Sequence, residues 1–322
     1  MKKNIVVLGG GGFIGGYLVK NFLESSHSVK VVDIKPFDKW FQRFEEAENV
    51  SADMELKEEC FKAVEGADEV YNLACNMGGM GFIENNKAKC MQSVLINTHL
   101  VSACKEENVS KYFYSSSACV YNASKQKATD LVALKEEDAY PADAEDGYGW
   151  EKLFSERMCR HFREDFGLDS RIARFHNVYG PLGTYDGGRE KAPAAICRKV
   201  IEAKLSGNHE IEIWGDGLQT RSFMYIDDCV TGINKLMESD FVDPINLGRD
   251  DLISINQLVD LAEGFADIKL KRNYKSDAPL GVRGRNSDNE LIRSVLDWEP
   301  SITMQDGLKE TYDWIYSQIT SV

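Results

Sequence analysis

The sequence lacks any uninterrupted apolar run of about 18 residues, close to the length that a helix needs to cross a membrane. Its first residues, MKKNIVVLGGGGFIGG, pass directly into a glycine-rich turn, so we expect no signal peptide. Basic residues are in deficit, since 38 Lys and Arg stand against 52 Asp and Glu and the formal net charge is -14. This balance argues against a general affinity for nucleic acid or anionic membrane, and we expect a cytoplasmic protein with neither partner.

Paired cysteine spacing is absent too. The eight cysteines stand singly along the chain, without the spacing of a zinc site or the density of a disulfide scaffold. We therefore expect no metal site and mostly reduced, buried cysteines. The chain does have 322 residues, of which 43% are hydrophobic, and this is enough for a substantial core in one large or two modest domains.

A repeated strand and helix pattern organises the first half of the chain. NIVVLG reads as a short apolar strand, YLVKNFLESS as an amphipathic helix and VKVVD as a second buried strand. The segments DEVYNLAC, KYFYSSS and SRIARFHNVYG repeat the apolar-strand signature, which predicts an α/β fold with a doubly wound parallel sheet. The pattern changes after about residue 178, so we expect a first domain over 1–177 and a second, smaller α/β lobe over 178–322, the two interleaving after 210.

The glycine-rich turn is the first motif that carries chemistry. Gly9, Gly12 and Gly15 follow a strand and begin a helix, and Asp33 lies at the end of the next strand. Such glycines let the backbone approach a pyrophosphate at the helix N-terminus, and an acidic residue can bind the adenosine ribose hydroxyls and repel a 2'-phosphate. The motif therefore predicts a Rossmann fold that prefers NAD to NADP, the alternative being a tight structural turn. Lys35 is interpreted as a solvated charge.

A second motif pairs Tyr148 with Lys152 in YGWEK. Four residues apart, they share one face of the helix that the apolar period of WEKLFSERMCRHFREDF predicts. A nearby ammonium lowers the pKa of a tyrosine from about 10 toward neutrality, as a base for a hydroxyl proton requires. Taken alone, a tyrosine and a lysine at this spacing are more often surface residues without a shared function. With the nucleotide turn present and Ser117 able to hydrogen-bond the same hydroxyl, we interpret it as catalytic.

Cys119 in SSSACVY raises a separate question, because it follows an apolar run, KYFY, that is typical of a buried strand. Free cysteine is among the most often buried residue types. Taken alone, Cys119 is therefore best interpreted as a small core hydrophobe.

These motifs, in this order, resemble the extended short-chain dehydrogenase/reductases that act on nucleotide sugars. GGGGFIG, SSSACVY, YGWEK, RFHNVYGP, WGDG, SFMYIDD and INLG carry the resemblance over nearly the whole chain. A narrower resemblance, in ACNMGGMGFIE, GGREKAPAAICRK, WGDGLQTRSF and GVRGRNSDN, is to members that invert C3 and C5 of GDP-mannose. It implies an NAD-dependent epimerase that passes through a transient 4-keto sugar to GDP-L-galactose or GDP-L-gulose.

The resemblance also implies a role for each reacting side chain. Tyr148 removes the proton of the sugar C4 hydroxyl while hydride passes to NAD, and the resulting ketone acidifies the C-H bonds at C3 and C5. Inversion needs acid/base groups on both faces of the ring, and Cys119 and Lys191 are implied for this work. A thiolate is a competent base when nearby cations lower its pKa, and Lys191 could both supply this positive charge and act as the opposing acid.

Further contacts are carried over position by position as implications of the resemblance. The implied cofactor contacts are Gly9, Gly12, Phe13, Ile14, Gly15, Asp33, Asp53, Met54, Leu73, Tyr148 and Lys152. The implied substrate contacts are Gly78, Ser117, Ala118, Cys119, Asn177, Glu190, Lys191, Ala192, Gln219, Arg221 and Arg285. Gln219, Arg221 and Arg285 are expected to contact guanosine and diphosphate, because arginine donors grip phosphate oxygens in pairs. His176 is expected to be structural.

Alternatives stay open on substrate and on function. Asn76 replaces an acid that such relatives often carry before MGGMG, and YNASKQKATD also departs from their pattern, which bears on sugar fit. A nucleotide-sugar 4-epimerase, a 3,5-epimerase of another nucleotide sugar, or a non-catalytic dinucleotide-sensing protein on the same fold are the alternatives. Relatives pair through two long helices, so a homodimer through residues 90–107 and 149–166 is expected.

Overall fold

The fold is seen in a computed structural model that describes residues 2–130, 132–278 and 281–321. The strands are β1 Asn4–Leu8, β2 Ser28–Asp33, β3 Glu48–Ser51, β4 Glu69–Asn72, β5 Lys111–Ser117, β6 Ser170–Phe175, β7 Val178–Tyr179, β8 Glu210–Trp214, β9 Thr220–Arg221, β10 Met224–Tyr225, β11 Ile245–Leu247, β12 Ile253–Ser254, β13 Lys271–Lys275 and β14 Gly284–Arg285. The helices are α1 Phe13–Glu24, α2 Lys57–Val64, α3 Met80–Asn85, α4 Lys87–Gln92, α5 Val94–Glu106, α6 Asp146–Phe166, α7 Ala192–Ser206, α8 Ile226–Glu238, α9 Ile255–Ala266, α10 Glu290–Leu296 and α11 Met304–Thr320.

A seven-stranded parallel sheet forms the centre of the molecule, in the order β11-β6-β5-β4-β1-β2-β3. This is the doubly wound order, because β2 and β3 lie on one side of β1 and the chain then crosses to place β4, β5 and β6 on the other side. In β1, near the centre of the sheet, Ile5 to Leu8 are apolar, and Val7 and Leu8 are fully buried because helices cover both faces of the sheet. The predicted α/β fold class is confirmed.

Helices pack on the two faces of the sheet. On one face α1 lies beside α8, and on the other α2 packs against α5, which packs against α6. Leu18 of α1 and Leu100 of α5 are completely buried in the two cores that result. Helix α6 is followed directly by Gly167, whose φ of 74° favours glycine and ends the helix.

The second half of the chain builds a smaller α/β layer at the carboxyl ends of the sheet strands. Helices α7, α9 and α11 pack together, β8 pairs with β13, and β9 lies between β12 and β14. The chain returns to the large sheet through α8 and β11 before it completes this layer. The domain division at residue 177, with interleaving after 210, stays a prediction.

The carboxyl ends of β1, β2, β4, β5 and β6 all lie at one edge of the sheet, because parallel strands run in the same direction. Ligands of open α/β sheets bind at this edge, near the point where the strand order reverses. Over the three described ranges, no helix is long and apolar enough to span a membrane. The same residues contain no group of three His, Cys, Asp or Glu that could hold a metal ion.

Candidate active site

The glycine-rich turn connects β1 to α1 with a tightly folded backbone. Gly9 has a φ of 78°, and the N-H of Gly12 donates to the carbonyl of Gly9 at 3.0 Å. A Cβ on Gly15 would lie 2.4 Å from the carbonyl oxygen of Gly9, so only glycine allows this approach of helix to turn. No side chain among the described residues caps α1, so its first N-H groups, including those of Phe13 and Ile14, can receive an anion.

Asp33 ends β2 beside this turn, and its Oδ1 accepts the N-H of Lys35 at 2.9 Å. The ammonium of Lys35 donates to the carbonyl of Gly11 at 2.8 Å, and the indole N-H of Trp40 donates to the carbonyl of Lys35 at 3.0 Å. The interpretation of Lys35 as a solvated charge is therefore wrong. Its side chain fastens the loop after β2 to the glycine turn, because the carbonyl of Gly11 offers an acceptor within reach.

The other predicted cofactor residues lie at the ends of neighbouring strands. Met54 is buried after β3, Asp53 accepts the N-H of Glu55, and Leu73 follows β4 with its N-H donating to Leu8. A Cβ on Gly9 would touch the backbone of Leu73 at 2.9 Å, so this strand end lies directly against the glycine turn. A close backbone turn, an uncapped helix start and a carboxylate at the next strand end together fit a dinucleotide.

Tyr148 lies in the first turn of α6, above the end of β5, and Lys152 follows one turn later. The Lys152 ammonium is 5.6 Å from the centre of the Tyr148 ring and 3.7 Å from a Glu151 carboxylate oxygen. Burial lowers the pKa of Lys152, but the neighbouring Cys75 and Glu151 outweigh it, so the net pKa is raised and the side chain stays charged.

The pKa of Tyr148 differs from expectation. Burial raises it well above its usual value, Cys75 and Cys119 raise it further, and the hydrogen bond with Ser117 lowers it only in part. The expected shift toward neutrality is thus wrong for this arrangement. Burial deprives the phenolate of its hydration, and the hydrogen bond and the surroundings of Tyr148 do not compensate for that loss.

Cys119 follows β5 in a short 3-10 turn, Ala118–Val120, that docks on the start of α6. The carbonyl of Cys119 accepts the N-H of Glu145 at 2.9 Å, and a Cβ on Gly149 would lie 2.3 Å from the same oxygen. The backbone N-H of Cys119 donates to the Ser117 hydroxyl at 3.2 Å. This close packing brings Cys119 and Tyr148 into one small buried cluster.

A cation does lie against the thiol of Cys119. The Nη1 of Arg285 is 3.4 Å from Sγ, its Nη2 is 2.9 Å from an oxygen of Glu145, and its Nε donates to the amide oxygen of Gln126 at 2.7 Å. Burial raises the pKa of Cys119, Glu145 raises it further, and Arg285 lowers it only in part. The expectation that nearby cations lower this pKa is therefore wrong on balance, because burial is the largest influence and Glu145 offsets the charge of Arg285.

Lys191 approaches the same cluster from another element, as the residue that precedes α7. Burial lowers the pKa of Lys191; Cys119 is the strongest of the charges acting on it and opposes the shift, while Arg285 adds to it. The structure thus brings together the two groups predicted to flank the sugar ring. A lysine with a lowered pKa can exchange a proton more readily than an exposed one.

Most predicted substrate residues gather around this cluster. The N-H of Gly79 donates to the carbonyl of Arg189 at 3.1 Å, which holds the loop with Gly78 against the segment that carries Glu190 and Ala192. Asn177 lies after β6, with its side-chain amide donating to the carbonyl of Ser222 at 3.2 Å. Ala118 is buried beside Cys119.

Arg221 and Arg285 lie directly opposite each other on β9 and β14. Burial and then the charge of Arg285 lower the pKa of Arg221 to about 10, so an anion close to this pair would be favoured. Gln219 donates its side-chain amide to the carbonyl of Trp214 at 2.9 Å. Arg285 itself does not fit the expected diphosphate contact, because its guanidinium is buried and engaged with Gln126, Cys119 and Glu145.

Sequence reasoning missed three residues of the cluster, namely Glu145, Gln126 and Cys75. An acidic residue just before a helix is common because it favours the positive end of the helix dipole, so Glu145 carried no special signal. Cys75 interacts with Lys152, and Gln126 directly follows a single 3-10 turn, Ala123–Lys125, which has no strong sequence signal. His176 is buried, its Nε2 lies 2.9 Å from Asn246 Oδ1, and burial lowers its pKa to about 3, which fits a packed role.

Similarity to known proteins extends along nearly the whole chain. The model of the NAD dependent epimerase/dehydratase family matches residues 5–248. The GDP-mannose 3,5-epimerase of Arabidopsis thaliana is 44% identical over 316 residues, which are 98% of this chain and 82% of the plant protein. GDP-mannose 3,5-epimerase 1 of Oryza sativa subsp. japonica is 43% identical over 99% of this chain and 83% of that protein. A crystal structure of UDP-glucose 4-epimerase from Thermotoga maritima has a TM-score of 0.88 at 24% identity, covers 98% of this chain and 99% of its own, and is similar in fold.

Proposed function

The chain belongs to the NAD dependent epimerase/dehydratase family, and from this premise we propose that it inverts C3 and C5 of GDP-mannose. The plant relatives, at 44% and 43% identity over nearly the whole chain, carry that activity in their names. The single observation that carries the proposal is the meeting of Cys119 and Lys191 from two different elements beside Tyr148. A simple 4-epimerase needs no such second pair of proton-transfer groups.

The proposed cofactor site is the glycine turn with Gly9, Gly12 and Gly15, answered by Asp33. NAD is the cofactor of the family, and when bound it takes up a hydride from sugar C4 and later returns it. The start of α1 would hold the pyrophosphate, and Asp33 would accept hydrogen bonds from the ribose.

Tyr148 is proposed to accept the proton of the C4 hydroxyl, with Ser117 hydrogen-bonding the same oxygen. Because burial opposes ionisation of the phenol, the Lys152 ammonium 5.6 Å from the ring is the charge that favours phenolate. Holding this cation dry and close strengthens its effect on the proton transfer.

Cys119 and Lys191 are proposed to move the protons at C3 and C5 once C4 is a ketone. The ketone acidifies both neighbouring C-H bonds, and each inversion removes a proton on one face and delivers one on the other. Cys119 lies on the turn after β5 and Lys191 before α7, so the two side chains reach the cluster from different elements. Arg221 and Gln219 are the proposed contacts for diphosphate and guanosine.

A cytoplasmic homodimer is the assembly we propose. Exposed apolar side chains support it, since Trp150 and Phe154 on α6 are 42% and 51% exposed and Met91 and Leu95 near α5 are 49% and 41% exposed. These residues fall in or beside the predicted helices 90–107 and 149–166. Light scattering at micromolar concentration should give twice the chain mass, and a monomer mass would contradict the dimer.

Proton NMR of the protein with GDP-mannose in deuterium oxide tests the reaction, with Cys119→Ser as the matched variant. We expect deuterium at C3 and C5 and new L-sugar signals, both greatly slowed in the variant. A 4-epimerase carries its own hydride and would incorporate no deuterium. If GDP-mannose stays unexchanged while NAD remains bound, the substrate assignment fails. Equal exchange in both proteins would return Cys119 to a core residue.

A further inference from the structure

The buried carboxylate of Glu145 is not used in the proposed reaction. Glu145 immediately precedes α6 and lies three residues before Tyr148. Its backbone N-H donates to the carbonyl of Cys119 at 2.9 Å, and its side-chain oxygen lies 2.9 Å from Nη2 of Arg285. Glu145 is thus joined to Cys119 in three ways: through the backbone, through Arg285, and through a direct hydrogen bond between the carboxylate and the thiol, which raises the pKa of Cys119.

Arg285 is held in a single orientation. Its Nε is bound to Gln126 at 2.7 Å, its Nη2 faces Glu145 at 2.9 Å, and its Nη1 is left to face the Sγ of Cys119 at 3.4 Å. A guanidinium is planar, so two of these partners determine where the third nitrogen points. Removing the carboxylate would release one of the two.

We propose that Glu145 is a positioning residue that holds Arg285 against the thiol of Cys119 and sets the pH at which that thiol loses its proton. The inference rests on the proposed function only for its consequence in catalysis. The geometry itself concerns Cys119, Arg285 and Glu145 whatever the sugar is.

Every charge around Cys119 enters this balance. Glu145 lies just before α6 and Tyr148 in its first turn, Arg285 and Arg221 lie on β14 and β9, and Lys191 lies just before α7. The three cations favour the thiolate and the Glu145 carboxylate opposes it. Burial raises the pKa of Glu145, but Arg285 and Cys119 outweigh it and leave it lowered, so the carboxylate is charged at neutral pH.

Glu145 therefore has two opposite effects on Cys119. Its negative charge disfavours the thiolate of Cys119, whereas its ion pair with Arg285 keeps a stabilising cation beside Sγ. Glu145→Gln separates these effects, since the amide oxygen can still lie opposite Nη2 of Arg285 while the negative charge is gone. Glu145→Asp keeps the charge and shortens the reach.

The test is the pH dependence of Cys119 alkylation by iodoacetamide in the holoenzyme, followed by peptide mass spectrometry. We expect the midpoint in Glu145→Gln to fall by about one pH unit or more, because a buried negative charge near Sγ is lost. Glu145→Asp keeps the negative charge but reaches less far toward Arg285, so its midpoint should not fall below that of the native chain. Alkylation needs no sugar, so the result stands apart from whether GDP-mannose is the substrate.

Asp146→Asn is the matched control, because it removes one negative charge from the next residue. The Asp146 carboxylate pairs with Lys87 at 3.0 Å, is 44% exposed, and faces solvent where charges are screened. Its midpoint should match the native chain. An unchanged midpoint in Glu145→Gln, or one no different from that of Asp146→Asn, would overturn the proposal.

A second readout covers catalysis. In deuterium oxide with GDP-mannose, the pH profile of C3 and C5 exchange in Glu145→Gln should move to lower pH by the same interval as the alkylation midpoint. An alkylation shift without a shift in exchange would overturn the catalytic consequence, and the absence of exchange in the native chain would indicate instead that the substrate assignment has failed.

Discussion

The glycine turn and the cluster around Cys119 are built in opposite ways. The turn is formed by seven consecutive residues, Gly9–Gly15, and its contacts are made by backbone atoms. The cluster draws Cys119, Glu145, Lys191 and Arg285 from four distant parts of the chain, and its character depends on charges that oppose one another. A site made of backbone follows from local sequence, whereas a site made of competing side-chain charges depends on every neighbour.

Removing the proposed proton acceptor for the C4 hydroxyl should have the largest effect. Tyr148→Phe is expected to slow C4 oxidation by about 10²- to 10⁴-fold, because the proton acceptor is lost while the fold keeps its aromatic ring. The measurement is the rate of product formation from GDP-mannose at saturating NAD. Tyr140→Phe, at an exposed tyrosine before the same helix, is the control. A loss below tenfold would show that another group takes the proton.

The cluster alone is probed by Lys191→Met. We expect deuterium exchange to fall by about 10²-fold at one of C3 and C5 and less at the other, because one of the two proton-transfer groups is gone. Carbon-resolved NMR in deuterium oxide separates the positions. Lys204→Met on the same helix, whose ammonium bonds the carbonyl of Ala266, serves as the comparison. An equal loss at both carbons would mean that Lys191 acts before the two inversions diverge.

The turn alone is probed by Gly15→Val. A Cβ there would lie 2.4 Å from the Gly9 carbonyl, so the turn must open, NAD affinity should fall at least tenfold, and the free energy of unfolding should drop by about 1–3 kcal/mol. Fluorescence titration with NADH and urea denaturation measure the two quantities. Gly264→Val, where a Cβ meets open space within α9, should leave NAD binding intact. Unchanged NAD affinity in Gly15→Val would separate this turn from the cofactor.

The change with the smallest expected effect on the reaction concerns folding beside the cluster, where His176 lies. Burial lowers the pKa of His176 to about 3, so between that pH and the ordinary histidine pKa of about 6.5 the unfolded chain binds one more proton than the folded one. This histidine should therefore make stability rise with pH in that window, by about 1.4 kcal/mol per unit, with no further gain above it. Urea denaturation between pH 4 and 7 should show a shallower slope in His176→Gln. The same slope in both proteins would remove His176 as its cause.

The proposed cofactor site shows how much of a site a local sequence pattern can predict. The glycine spacing, the strand before it and Asp33 after it are all visible within the first 33 residues, and the turn that they predict is present. The exception is Lys35, which reaches back to the carbonyl of Gly11. Its contact could not be read from the sequence because it depends on how the loop after β2 folds over the turn.

The sequence by itself determined the parallel α/β fold, the glycine turn and the family, because these follow from apolar periodicity and from backbone requirements that recur within a few residues. Only the tertiary structure decided the state of Cys119. Its pKa depends on burial, on an arginine 166 positions away and on the carboxylate that restrains that arginine. Electrostatic interactions depend on distances in the folded structure, and the order of residues along the chain does not show which charged groups lie close together.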